Sequence, residues 1–235
     1  LTVSNDLFYQ EINFNVIAGY ATAHDPLGPD AYGYYIYDSE DYGYGLMPSY
    51  EWIEIASSEG GDGYDLQISD GGNGNNISNS TKYIDLPFNF TFYGVDYDEV
   101  SVSSNGWISF GHTNMESFRN YTIPGAGGPS PMIAAFWDDL TTQQGGGVYA
   151  LVEQDYLIIE WNEMRTYDQS SEETFQIILY DSVTPTGDDE IKIQYKEFNN
   201  TSYTNYNHPV YSTVGIENHL GNIGLEYTFD NEYPV

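Results

Sequence analysis

The chain has 235 residues, with 36 Asp and Glu against 5 Lys and Arg, and a formal net charge of -31. So few basic side chains exclude counterion-release binding to DNA or RNA and attraction to an anionic membrane surface. Strong acidity usually accompanies disorder, but 17% of these residues are Phe, Trp or Tyr, 24 of them Tyr, so a sizeable core can form. Cysteine is absent, which rules out a disulfide framework and thiol chemistry. No run of about 18 apolar residues is present, so membrane insertion through a helix is not expected. No signal peptide is visible, and a first residue of Leu1 rather than Met suggests a mature or excised segment.

No helical periodicity is found. Phe8 to Ile17 alternates as a strand and ends at Ala18-Gly19. Residues 23–48 are rich in Asp, Gly, Pro and Tyr and read as a long ordered loop. Tyr50 to Ile55 reads as a strand, and a Gly, Asp and Asn stretch from Glu59 to Ser80 follows, anchored only by Leu66 and Ile68. Tyr83 to Gly94 alternates, with Pro87 pointing to an edge position. Glu99 to Ser103 and Gly106 to Phe110 pair about Ser104-Asn105, where Asn105-Gly106 is a turn signal. Met132 to Trp137 is a buried strand. Val148 to Val152 and Tyr156 to Trp161 flank Glu153-Gln154-Asp155 as the clearest hairpin. Thr174 to Tyr180, Glu190 to Tyr195, Ser212 to Glu217 and Gly224 to Phe229 complete the set.

Many short strands between turn signals predict an all-β fold, an antiparallel β-sandwich of jelly-roll or immunoglobulin type with a long ordered N-terminal segment. Three parts are expected: an N-terminal strand in 1–22 that could be donated to a neighbour, an acidic Tyr/Gly/Asp segment in 23–80, and the main sandwich in 81–235. The tryptophans Trp52, Trp107, Trp137 and Trp161 all fall in strand patterns and are expected in the core.

Several constellations could carry chemistry. The four His residues lack metal-ligand spacing, and no nucleophile elbow, zinc-protease helix or phosphate loop occurs. Hard oxygen ligands cluster in loops at Asp25, Asp30, Asp38, Asp41, Asp138 and Asp139, and Ca²⁺ is the cofactor they would take. The competing reading is a solvated acidic surface suited to high salt. Asp138-Asp139 is also the sharpest carboxylate pair, yet adjacent strand residues point to opposite faces and cannot flank one glycosidic bond. The loop tyrosines Tyr32, Tyr34 and Tyr35 are the candidate ligand contacts, with Tyr37, Tyr42 and Tyr44 in the same stretch. Glycosylation acceptor motifs fall at Asn76, Asn79, Asn89, Asn120, Asn199 and Asn200, with Asn89 in a strand pattern.

Asp25 to Tyr35, Tyr50 to Ile55 and Leu86 to Gly94 together resemble a non-catalytic region found beside gingipain-like and subtilisin-like peptidase domains in large secreted bacterial proteins. Ser104-Asn105-Gly106-Trp107-Ile108-Ser109-Phe110-Gly111 and Ile133 to Leu140 extend the match and are also similar to the nidogen-like extracellular module. The resemblance implies an extracellular accessory or structural module and carries over no catalytic residue. Phe8 to Ile17 looks like the last strand of a preceding sandwich, free to pair elsewhere.

The expected function is therefore an extracellular or cell-surface structural or interaction protein, not an enzyme. It would act by self-association or contact with neighbouring domains, as a filament subunit assembled by strand addition. The alternative is a carbohydrate-binding module recognising glycans. A glycoside hydrolase using Asp138, Asp139 or Glu160 is the third reading.

Overall fold

A computed structural model describes residues 2–5, 8–11, 21–71, 80–167, 171–184, 187–201 and 211–233. The fold is an antiparallel β-sandwich of two six-stranded sheets, as the short-strand pattern predicts. A small hairpin of β1 (Thr2–Asn5) and β2 (Phe8–Glu11) precedes it. One sheet is built from β4 (Thr81–Phe92), β5 (Val95–Ser103), β6 (Trp107–Phe110), β7 (Met132–Trp137), β13 (Thr213–Glu217) and β14 (Gly224–Thr228). Its strand order is β14-β13-β7-β6-β5-β4. The other is built from β3 (Tyr64–Asp65), β8 (Leu140–Thr141), β9 (Gly147–Val152), β10 (Tyr156–Thr166), β11 (Glu172–Val183) and β12 (Asp189–Glu197). It runs β12-β11-β10-β9-β3, with β8 also paired to β10.

The strands from Tyr83 onward form where the alternation places them, and Pro87 does lie on an edge strand, β4, beside a register shift between Asp85 and Phe90. The N-terminal strand pattern is only partly seen. Phe8–Glu11 pairs with β1, and 12–17 lie outside the described residues. Among the described residues there is no α-helix.

Between the sheets, Phe136 stacks on Phe175 and Phe175 on Trp161, with ring centroids 5.6 and 5.0 Å apart. Phe90, Phe92 and Phe110 extend this aromatic core. A bulge sets the position of Phe136. The amides of Ala135 and Phe136 both donate to the single carbonyl of Gly106, each at 3.0 Å. Two residues opposite one break the alternation. Ile133, Ala135 and Phe136 therefore face the inter-sheet core, while Trp137 turns outward with Met132 and Ala134.

Both outer faces are covered, which the strand pattern does not foretell. Residues 111–131 lie over the β7 sheet, where the indole N–H groups of Trp107 and Trp137 both donate to the carbonyl of Ser117. Glu217 holds this loop through the Gly125 amide and the Ser130 hydroxyl, and Glu226 holds the Ile123 amide. Over the other sheet lies the segment 50–56.

That segment corrects two expectations: Tyr50 to Ile55 is not a strand, and Trp52 is not core. Side chains, not a neighbouring strand, satisfy its backbone. The amide of Gln194 on β12 binds Glu51 at both N–H (3.2 Å) and C=O (2.8 Å). Gln176 on β11 donates to the carbonyl of Ile53 at 2.6 Å. Glu160 on β10 accepts from the amide of Ile55 at 3.2 Å. Glu160 is in register with Gln176, and Gln176 with Gln194. The segment thus crosses β12, β11 and β10 in turn, as a strap over a polar side-chain ladder. Only Ile55 and Ala56 sink fully, against Tyr149, Ile158 and Ile178.

Candidate functional site

The acidic front segment is organised by its own carboxylates. Asp30 Oδ1 accepts the amides of Tyr32, Gly33 and Tyr34 at 2.8–3.0 Å, and its Oδ2 accepts the Tyr93 hydroxyl at 2.7 Å. A short side chain one turn ahead of several free amides suits this role. The rings of Tyr34 and Tyr93 pack tilted, with centroids 4.6 Å apart, and Tyr32 lies 5.3 Å from Tyr93. The Tyr32 hydroxyl donates to Asp188, which also accepts the Gly94 amide. Burial pushes the Tyr34 and Tyr93 hydroxyls far above their ordinary range, so both stay neutral.

Tyr32 and Tyr34 therefore anchor the front segment to the β4–β5 turn, Tyr34 half-buried and Tyr32 still exposed. Tyr35 keeps an exposed ring. Asp30→Ala is expected to cost about 2–3 kcal/mol, because four donors lose one acceptor. A urea titration checks this; a midpoint equal to wild type would remove Asp30 from the anchor.

The six acids expected to bind calcium fall in three places. Asp25 accepts from Thr22 and from the Tyr44 hydroxyl at 2.6 Å. Asp38 accepts the Glu40 amide and the Tyr227 hydroxyl. Asp41, almost fully buried, accepts the Asp38 amide, and its carboxyl is pushed up by burial and then by Asp38 and Asp25. Asp30 belongs to the tyrosine knot. Asp138 and Asp139 lie under Asn105, at the end of β7. The Asp138 carboxylate accepts the Asp139 amide, Asn105 accepts the Leu140 amide, and Ser104 donates to the nearby Asp70. Among the described residues no three His, Asp or Glu side chains converge so as to hold one metal ion.

Of the glycosylation acceptors, Asn120 is fully buried. Its side-chain nitrogen donates to Tyr211 O and Thr213 Oγ1, so a glycan has no room there in the folded chain. Asn199 is exposed, with its amide nitrogen on the Glu172 carbonyl. Asn76 and Asn79 lie outside the described residues.

Glu160 is the strongest perturbed acid. It is fully buried under the strap, and burial pushes it up to about 7, against hydrogen bonds from Gln176 and the Ile55 amide. The charge of Glu54, on the strap, also opposes its ionisation. Burial alone would raise Glu54, but hydrogen bonds from Lys196, Trp52 and the Ala56 amide outweigh that and hold it below the usual range. Lys196 lies 2.9 Å from Glu54 and 5.5 Å from the centre of the Trp52 ring. Periodicity could not place this pair, because it depends on the strap crossing the sheet.

The front segment exposes aromatic and apolar side chains among acids such as Glu40 and Glu51. Tyr35, Tyr42, Leu46, Met47, Tyr50 and Ile53 are all exposed, Tyr42 and Leu46 at 64%. The rings of Tyr50 and Trp52 lie within 22° of parallel, with centroids 6.5 Å apart. This ridge is the candidate interaction surface. Tyr35 and Tyr42 are among the loop tyrosines the sequence singles out, and Tyr50 and Ile53 join them because 50–55 is not a strand.

In comparisons with known proteins, no curated protein and no solved structure matched. A family model described as NIDO related matched residues 64–234. That span contains both the 104–111 and 133–140 stretches, and it supports the nidogen-like part of the resemblance. On this match over most of its length, the chain belongs to the NIDO-related family.

Proposed function

We propose that the chain is an extracellular, non-enzymatic structural or interaction module whose contact surface is the ridge on the front segment. The exposed aromatic and apolar ridge at 35–53 carries this reading. Such residues gathered on one anchored, non-strand segment are the usual mark of a docking surface. The acids a hydrolase would use argue against chemistry: Asp138, Asp139 and Glu160 are all buried, Asp138 accepting the Asp139 amide and Glu160 the Ile55 amide. The NIDO-related assignment supports an extracellular setting.

Self-association into a surface filament by strand addition is the mode we favour. All three lysines of the chain lie on the edge strands β4 and β12, as Lys82, Lys192 and Lys196. Lysine on an edge discourages strand addition. The edge strands β14 and β3 carry none, and β14, five residues long against two, is the edge assigned to a donated strand. At a net charge of -31, copies approach only with cations between them, and Ca²⁺ would bridge acidic loops such as 25–41. Glycan stacking on Tyr50 and Trp52 is the second reading, favoured by their near-parallel rings.

Negative-stain microscopy of the full chain, with calcium or with a chelator, tests the first reading. Filaments with calcium that are lost in Tyr42→Ser/Leu46→Ser/Tyr50→Ser are the expected outcome. Monodisperse particles in both conditions, with retention on a glycan matrix that Trp52→Ala abolishes, would replace it with the second.

A further inference from the structure

Residues 21–48 of the front segment carry Asp25, Asp30, Asp38, Glu40 and Asp41 and no Lys or Arg. They dock on a sandwich that is itself acidic. Among the described residues no ion pair joins the two. His24 faces Glu40 inside the segment, and the pairs made by His112, Arg165 and Lys196 lie elsewhere. Among the same residues three side-chain hydrogen bonds cross instead, and each is a tyrosine hydroxyl donating to an aspartate. Tyr32 reaches Asp188 at 3.1 Å, Tyr93 reaches Asp30 at 2.7 Å, and Tyr227 on β14 reaches Asp38 at 2.6 Å. The donors come from both sides, Tyr32 from the segment and the other two from the sandwich. Gly94 makes room for the first, since a Cβ there would stand 3.0 Å from the Tyr32 oxygen. Leu27, Tyr34 and Ile36 pack against the core beside these bonds.

A neutral hydroxyl satisfies a carboxylate without cancelling its charge. Docking therefore brings anions together: Asp30 and Asp38 from the segment, Asp188 and Asp189 from the sandwich, the last two almost fully buried. Salt acts differently on what holds the segment and what repels it. Short hydrogen bonds and apolar contacts keep their strength. Repulsion between carboxylates is screened over a Debye length that falls from about 30 Å at 0.01 M salt to about 10 Å at 0.1 M. An interface held by salt bridges would weaken on the same change.

We propose that residues 21–48 form a salt-closed clip: tyrosine donors hold it on the sandwich, carboxylate repulsion opposes it, and it opens as ionic strength falls. Opening uncovers Phe92 and Tyr93, on which Tyr34 packs, and frees Tyr35, Tyr42, Leu46 and Met47 from a fixed position. Any dissolved cation closes the clip, with no ligand set of its own. The clip stands whether or not those exposed side chains are a contact surface.

Hydrogen exchange of the full chain at constant pH, from about 0.01 M to about 0.5 M NaCl, tests the clip. Leu27 and Ile36 each donate an amide to the other's carbonyl and report on the docked segment. Their protection should rise about tenfold or more relative to that of the β10–β11 amides. Asp188→Asn keeps an oxygen for Tyr32 and Gly94, and its nitrogen replaces an oxygen that accepts no hydrogen bond. This variant should raise protection at low salt and shrink the step. Tyr32→Phe should lower protection at both ends of the range. Front-segment protection that follows β10–β11 at every salt concentration would overturn the proposal. So would an undiminished step in a folded Asp188→Asn. Closure by about 1 mM CaCl2 that NaCl of equal ionic strength does not reproduce would also overturn it, by putting a bound ion in place of screening.

Discussion

Gly106→Ala is expected to destabilise the fold by about 3–5 kcal/mol, as strain plus overpacking. Gly106 has φ of 73°, and a Cβ there would sit 1.9 Å from the Phe136 carbonyl oxygen and 2.6 Å from its carbon. Both are main-chain atoms locked in the bulge, so no side chain can swing aside. Relieving the clash means undoing the two hydrogen bonds from Ala135 and Phe136 to Gly106. That would withdraw Phe136 from its stack on Phe175. Gly111 is the internal control: φ is 79°, yet nothing lies within 4 Å of its Cβ position. Gly111→Ala should cost only the left-handed penalty, about 1 kcal/mol. Denaturant midpoints for the two variants separate the effects. Equal losses would mean that close approach at the bulge contributes nothing.

Stability is expected to rise as pH falls from 8 towards 5, opposite to the behaviour of a protein held by salt-bridged carboxylates. Glu160 titrates near 7 when folded against 4.5 as the unfolded reference, and burial also raises Glu173 and Glu217. A carboxyl raised on folding keeps its proton in the native state over a window where the unfolded chain has lost it. The native state then binds more protons, so unfolding free energy falls as pH rises through that window. For Glu160 the window is 4.5 to about 7. Its full effect above it is about 3 kcal/mol at 1.36 kcal/mol per unit. The net charge of -31 acts in the same direction, because each proton gained relieves self-repulsion. Below about 4.5 the sign reverses for Glu54, whose lowered titration makes its ion pair a stabilising one that acid removes. Urea unfolding at pH 5, 6.5 and 8 checks the slope. Glu160→Gln should be more stable than wild type at pH 8, by up to about 3 kcal/mol, and within about 1 kcal/mol of it at pH 5. A wild-type stability that is flat or rising from pH 5 to 8 would show that these buried acids are not protonated.

The chain solves its charge imbalance in an unusual way. With 5 basic side chains for 36 acids, ion pairing cannot neutralise the interior. Buried acids instead accept main-chain amides and hydroxyls, as Glu173 does from the Asn199 and Asn200 amides and Glu217 from Gly125 and Ser130. Each such acid pins a loop to a sheet, so much of the acidity works as internal fastening. The rest remains as surface charge that only cations or salt can screen.

The sequence by itself determined the sheets. Alternation from Tyr83 onward, the turn at Glu153–Asp155, the apolar run Met132 to Trp137 and Pro87 on an edge all follow from a two-residue side-chain period and from which residues can donate to a ladder. Three of the four tryptophans were legible as core for the same reason. Tertiary structure alone decided what lies across those sheets. The segment 50–56 alternates like a strand, yet its hydrogen-bond partners are Glu160, Gln176 and Gln194, which lie more than a hundred residues away and come together only when β10, β11 and β12 align. Nor does local pattern reveal the bulge at Gly106, since it exists only where two strands meet. The anchoring of Tyr34 and the burial of Asn120 rest likewise on contacts between distant segments. A period in the chain reports the faces of a strand; it carries no information about the side chains that a segment crossing those faces will find.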